Sequence, residues 1–351
     1  MPVLFTFWVA GVARLRKALA QIYIYLISWA QSFQVNPWSG ILLKRYRDFN
    51  TYLREQFGER VQRISLDAGL GCPNRDGTVS RGGCIFCDAR GSGTGAFSED
   101  RKSISRQIAK AKEFIRKRYK AQKFIAYFQS FTNTHAPVAH LKGLYDDALR
   151  HPDMVGLSVG TRPDCVNEEI LEMIRLYRKD YLVWMEYGLQ SAHDKTLHTI
   201  NRGHSVECFE KAVRMTHDFG LNVCAHVILG LPGEDRRMML ETAEFIAGLP
   251  VYGVKIHLLY VIRGTPLAER YQKGGFRCLE RDEYANLVVD FLELLPPDMI
   301  IQRLTGDPGK SDLLAPEWAI HKMENLKCIQ DTLERRETWQ GRLYKKSTAG
   351  T

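Results

Sequence analysis

Six short apolar runs, each followed by a stretch with helical spacing, limit what this chain can become. The runs cover 63–67, 123–131, 154–161, 181–190, 222–231 and 253–261. Most are near-continuous rather than strictly alternating, the pattern of parallel strands buried on both faces. Helical patterns occupy 102–120, 139–149, 167–179, 205–219 and 236–248. After the first run, strand starts are spaced by roughly 30–40 residues, the size of a βα unit. The first gap, from 63 to 123, is longer and carries an insertion. The expected fold class is α/β, a partial (β/α)6 barrel of TIM type, with a doubly wound open sheet as its competitor.

The tail reads differently. Residues 280–295 suit a helix stopped by Pro296 and Pro297, 300–304 a short strand, and 316–337 a last helix with Pro316 in its first turn. The expected division is a hydrophobic N-terminal extension at 1–36, a barrel core at 37–265, and a short α-helical C-terminal extension at 266–351 packed on the barrel. Within the N-terminal extension, 3–13 and 18–30 are apolar and are separated by Arg14, Arg16 and Lys17. Each run is shorter than the ~20 residues that span a bilayer. A leader, an early start codon, or an interfacial helix giving membrane-surface contact through residues 1–33 all fit. A secretory signal is disfavoured, because the chemistry below needs a reducing compartment. A cytoplasmic location is expected.

The composition is 45% hydrophobic and 25% charged, which excludes disordered, collagen-like and coiled-coil chains. Eight cysteines in 351 residues are too sparse for a disulfide scaffold. The net charge of +9 favours an anionic partner. Between 101 and 120 there are nine basic residues and one acid, Glu113, on a helical stripe of Ile104, Ile108, Ala111, Ile115 and Tyr119. This amphipathic helix is either a solvated surface or a tRNA/RNA phosphate footprint.

Polar residues gather where the runs end, at Gln129, Arg162, Glu186, Gln190, His257 and Tyr260 among others. In parallel α/β folds the site lies at the carboxyl ends of the strands. Arg162 and Asp164 are candidates for binding substrate or organising the pocket, because such residues are seldom buried without partners. His257 and Tyr260 face the same mouth, as substrate-side groups or as satisfied core residues. Residues 306–311 imitate a phosphate-binding loop, but Leu304 stands where that motif needs glycine.

The long first insertion holds Cys72, Cys84 and Cys87 in a C-x11-C-x2-C spacing, interleaved with Gly77, Gly82 and Gly83. Glycine allows backbone to wrap closely around a metal group. Thiolates select iron–sulfur clusters or zinc. A structural zinc site is closed by four protein ligands. Three cysteines would leave one iron of a 4Fe–4S cluster open. A Cys3His zinc knuckle is the rival, but the next histidine is His135.

On these residues the chain resembles radical S-adenosylmethionine (SAM) enzymes, in the YhcC-like branch related to the radical SAM domain of the Elongator catalytic subunit. The resemblance is carried by CPNRDGT (72–78), RGGCIFC (81–87), FQSFTNT (128–134), GTRPDC (160–165), EYGLQS (186–191), NRGH (201–204), ILGLPGE (228–234) and LLAPEW (313–318). It implies a 4Fe–4S cluster that cleaves S-adenosylmethionine reductively to a 5′-deoxyadenosyl radical, which abstracts hydrogen from a substrate. It further implies Cys72, Cys84 and Cys87 as cluster ligands and Phe86 as the aromatic beside adenine. Gln129 and Ser130 fall where the family contacts the SAM amino group, although the family has glycines there. Gln190 matches a ribose contact. Arg202 matches the arginine that pairs with the SAM carboxylate, a task suited to a bidentate guanidinium. Gly230 and Leu231 match backbone near adenine, and Glu186 is a cofactor-side contact. Alternatively, Glu186 pairs with a neighbouring Arg or Lys, and Arg202 caps a helix end.

The kinship implies an RNA substrate such as a tRNA wobble uridine, and an electron donor such as flavodoxin or ferredoxin. The tail is too short for the acetyltransferase domain of Elongator-type chemistry. Two alternatives stand beside this: a radical SAM enzyme acting on a small metabolite or protein, and a non-catalytic zinc or iron–sulfur nucleic-acid-binding protein.

Overall fold

The computed structural model describes residues 45–91 and 103–346. The N-terminal extension at 1–36, and with it the membrane-contact expectation for 1–33, lies outside the described residues, as do Arg101 and Lys102.

The elements follow in order as α1 (Phe49–Phe57), β1 (Val61–Leu66), α2 (Ile104–Tyr119), β2 (Lys123–Phe128), α3 (Val138–Leu149), β3 (Met154–Thr161), α4 (Glu168–Arg175), β4 (Leu182–Gln190), α5 (Val206–Asp218), β5 (Asn222–Leu229), α6 (Arg236–Ala247), β6 (Gly253–Leu258), α7 (Arg281–Leu294), β7 (Ile300–Arg303) and α8 (Lys322–Arg335). Most of these helices start at a side-chain cap, whereas α3 and α8 have none. Asp48, Ser103, Asn167, Ser205 and Asp235 each accept a backbone N–H from the first turn.

All seven strands are parallel and pair in sequence order, β1 through β7. The sheet curls into a half-barrel with helices outside, an α/β architecture with a helical C-terminal region. The six expected strands are present, and the tail strand joins them as a seventh through pairing of Gly253 with Ile300. The last helix begins at Lys322 rather than beside Pro316, which instead opens a 3-10 turn at Glu317–Ile320. The run 123–131 stops as a strand at Phe128, because the chain turns sharply with Phe131 at φ 62°.

Period-two alternation divides every strand between two environments. One set of side chains, including Phe124, Leu157, Met185, Val223 and Val254, enters the main core beneath the helices. The other set points into the barrel. At its amino end this interior is apolar: Ile125, Trp184, Cys224 and Ile300 pack with Phe49 and Tyr52 of α1. The Trp184 ring lies 5.9 Å from Phe49 and 5.6 Å from Tyr252. This plug closes the amino end and leaves the other end for a site.

Trp184 is fully buried, so Trp184→Ala should lower the unfolding free energy by ~3–5 kcal/mol. Urea denaturation checks this. An unchanged midpoint would remove Trp184 from the closure of that end.

Candidate active site

Above the apolar plug the inward positions become polar. Lys255 of β6 is buried against Glu186 of β4 in a close ion pair, and its Nζ donates to Tyr127 Oη at 2.9 Å. His226 of β5 contacts the same Glu186 oxygen at 2.8 Å. Arg63 of β1 lies 3.9 Å from the other Glu186 oxygen and donates to Gln302 at 2.9 Å. Burial favours the neutral acid of Glu186, but Lys255 and His226 hold the carboxyl well below its ordinary value. Burial, aided by Arg63, pulls Lys255 down to about 7. Burial and the Lys255 charge pull His226 down to about 4, so its imidazole is neutral near pH 7. Of the two alternatives for Glu186, the ion pair is present, and the residue also lines the cavity.

A cavity opens above this layer, lined by residues from β2 to β7 and by the cysteine loop. Cys72, Cys84, Cys87, Arg202 and Gln190 line it, as do Phe86 and Gln129. Arg162, His257 and Tyr260 line it too. Four predicted residues do not. Ser130 is buried behind the wall with an unpartnered hydroxyl. Asp164 holds Arg162 from outside the cavity. Gly230 occupies a turn at φ 90°, packed on Leu279. Leu231 is buried in the apolar cluster that also contacts Phe86, and Ile228 and Leu259 of that cluster form a cavity wall.

The cysteine loop leaves β1 and contains one helical turn, Pro73–Asp76. The segment 200–204 holds it in place. Ile85 N donates to Ile200 O at 3.1 Å, and Asn201 Nδ2 to Gly83 O at 2.8 Å. Asn74 Nδ2 donates to Asn201 O at 2.6 Å and to Cys84 Sγ at 3.6 Å. Arg202 donates to Gly188 O at 2.7 Å and to Cys84 Sγ at 3.6 Å. It therefore binds a strand carbonyl and a cysteine rather than a helix end. Arg162 is clamped by both oxygens of Asp164 and donates to Arg202 O at 2.7 Å. Its place is in pocket organisation. Two non-glycine residues here have left-handed backbone, Gln190 at φ 78° and Asn201 at φ 51°, and such strain gathers at functional sites. Gly188 permits the approach of Arg202, since a Cβ there would lie 2.6 Å from its Nη2.

The donor set fits a cluster. Burial pushes the Cys87 thiol up to about 11, so ionisation there needs a bound cation. The N–H groups of Asn74 and Arg202 point at Cys84 Sγ, each at 3.6 Å. Among the described residues, only Glu186, Cys224 and His226 bring three such ligand atoms within 4.8 Å of one another, as one ion requires. The three loop cysteines are spread wider than that. The Glu186 group itself suits a cation poorly, because Lys255 already sits on the carboxylate and Arg63 flanks it.

Sequence reasoning missed Tyr127, His226, Lys255 and Arg303 in the interior. Their signal was available as polar residues two positions apart within apolar runs, such as Lys255 and His257.

Comparison with known proteins follows this geometry. The Radical SAM superfamily matches residues 69–246, and the Radical_SAM C-terminal domain matches 251–335. Uncharacterized protein YtqA of Bacillus subtilis is 43% identical over 86% of this chain and 94% of its own. Protein YhcC of Escherichia coli is 37% identical over 79% of this chain and 88% of its own. The tRNA uridine(34) acetyltransferase of Methanocaldococcus infernus is 34% identical over 44% of this chain and 29% of its own. The structure of the Elp3 of that archaeon, lacking its N-terminus, shares the fold with a TM-score of 0.62 at 19% identity, over 80% of this chain and 64% of that one.

Gly203→Ala should loosen the latch on the cysteine loop. The position has φ 75°, and a Cβ would lie 2.4 Å from Asn74 Oδ1. We expect lower iron and sulfide content per reconstituted chain, with little change in far-UV circular dichroism. Full cluster content would show that the latch does not hold the loop.

Proposed function

This chain belongs to the radical SAM superfamily, and on that footing we propose that it takes hydrogen from an RNA nucleoside held in the barrel cavity. It is a radical SAM enzyme whose cofactors are a 4Fe–4S cluster and S-adenosylmethionine. When bound, these supply an electron and a 5′-deoxyadenosyl group that abstracts hydrogen from carbon.

The chain's own residues do the placing. Cys72, Cys84 and Cys87 would hold the cluster at the mouth. Arg202, anchored on Gly188 O and beside Cys84, would meet the SAM carboxylate with its remaining N–H groups. Gln190 would reach the ribose, and Gln129 with the unpartnered Thr132 hydroxyl would receive the amino group. Phe86, with Ile228 and Leu259, offers adenine an apolar wall. The polar layer of Glu186, Lys255 and His226 lies deeper, where a substrate would rest. The observation that carries the reading is that one cavity joins the three cysteines and Arg202 to this layer.

The RNA part is supported by the similarity to a protein named as a tRNA uridine(34) acetyltransferase and by the +9 charge. The basic helix α2 contributes at a distance. Arg60, just before β1, stacks on Tyr119 near the end of α2, so Arg116 to Lys120 lie at the amino ends of the strands. Within it, Lys112 is buried on Pro152 O and Arg116 pairs with Asp153. An RNA touching this end and entering the cavity must run outside the barrel for about 20 Å, the length of a six-residue strand. A flavodoxin or ferredoxin as reductant and a cytoplasmic location are parts of the proposal. Among the described residues, no helix is long and apolar enough to cross a membrane.

Anaerobically reconstituted, dithionite-reduced protein should release 5′-deoxyadenosine and methionine from SAM. Cys84→Ala should abolish both this and the cluster absorbance, and retention of both would overturn the site. Transfer RNA should bind with an affinity that falls steeply with salt. Salt-independent or absent binding would favour a small-molecule or protein substrate.

A further inference from the structure

The cavity floor carries more positive than negative charge. Around Glu186 stand Arg63 and Arg303, two cations to one carboxylate, together with Lys255, which burial pulls down to about 7. Lys255 is engaged by Glu186 and Tyr127, and Arg63 by Gln302 and the rings of Phe49 and Tyr127. Arg303 differs. It ends β7, the strand supplied by the tail, and lines the cavity. Among the described residues, its guanidinium has neither a hydrogen bond nor an ion pair. It is close enough to His257, Lys255 and Tyr260 to shift the titration of each.

His257 supplies a second observation. It lines the same cavity one inward position above Lys255, and its buried Nε2 has no partner. Its ring lies 5.3 Å from that of His226. A buried polar atom without a partner is costly in a finished core and reasonable where a ligand completes it. The nearby Asp88 and Asp312 are both taken by Arg90, and Asp307 pairs with Lys322, so among the described residues none of these three forms an ion pair with Arg303.

We propose that Arg303 and His257 form a recognition site for an anionic group of the substrate, a carboxylate or a phosphate. Arg303 presents a planar fork of N–H donors to two oxygens of such a group. His257 donates through Nε2–H in the tautomer that leaves Nδ1 unprotonated. Lys255 and Arg63 add positive potential from below. The Glu186 carboxylate, which shares the cavity lining, is engaged by Lys255 and His226 through one of its oxygens. The inference rests on the cavity being the substrate site. It adds that the group bound there carries a negative charge, so an unmodified neutral base does not satisfy it.

Equilibrium dialysis tests this with radiolabelled inorganic phosphate and radiolabelled acetate on the reconstituted protein, with saturating SAM to cover the open iron. One of the two anions should bind saturably, and the preferred one identifies the substrate group as phosphate or carboxylate. Arg303→Gln should weaken that binding at least tenfold, with Arg303→Lys weakening it less. His257→Gln should weaken it severalfold and decides the matter if Arg303→Gln does not fold. Wild-type release of 5′-deoxyadenosine is measured in the same preparation, so a failed enzyme reading is recorded separately from a failed anion site. No saturable binding of either anion, or wild-type binding in both Arg303→Gln and His257→Gln, would overturn the proposal.

Discussion

A row of hydrogen bonds running from Asp164 to Cys84 holds the cysteine loop, and the shape of the cavity mouth depends on it. Among its described residues, the loop between β1 and α2 has one helical turn and one isolated bridge, between Asp76 and Arg81. Its shape is borrowed. Asp164 fixes Arg162, Arg162 holds the carbonyl of Arg202, and Arg202 spans Gly188 O and Cys84 Sγ. Asn74 and Arg202 together set the position of the Cys84 sulfur.

Below that loop the barrel interior is ordered in layers. An apolar plug around Trp184 closes one end, and a hydrogen-bonded layer around Glu186 forms the floor. The cavity and the cysteines follow. Each layer draws one residue from several strands, because parallel strands in register bring equivalent inward positions to the same height. Charges placed this way are held by packing and by one another. A ligand entering finds them already oriented, with little reorganisation left to make.

Much of this was legible in the chain. The apolar runs marked six strands to within a few residues, since both faces of a parallel strand are buried. The C-x11-C-x2-C spacing marked three cysteines that all line the cavity. Other features were not legible. Ile300–Arg303 is short, and its place as a seventh strand depends on pairing with β6 across residues 259–299, which include a whole helix. Leu231 and Gly230 sat in a matching motif, yet the turn after β5 carries them behind the wall. Lys255 and His226 were hidden in runs that read as strand core, because a linear pattern does not say which side of a strand faces a cavity.

The sequence alone determined the strand-and-helix repeat, the three thiols and the motifs that identify the family. These are local matters of side-chain type and spacing. Only the tertiary structure decided that the polar residues of five strands meet in one layer, that Arg202 rests on Cys84, and that Arg303 reaches the cavity from the tail. Those outcomes depend on register and sheet curvature, which arise from pairing between residues far apart in the chain.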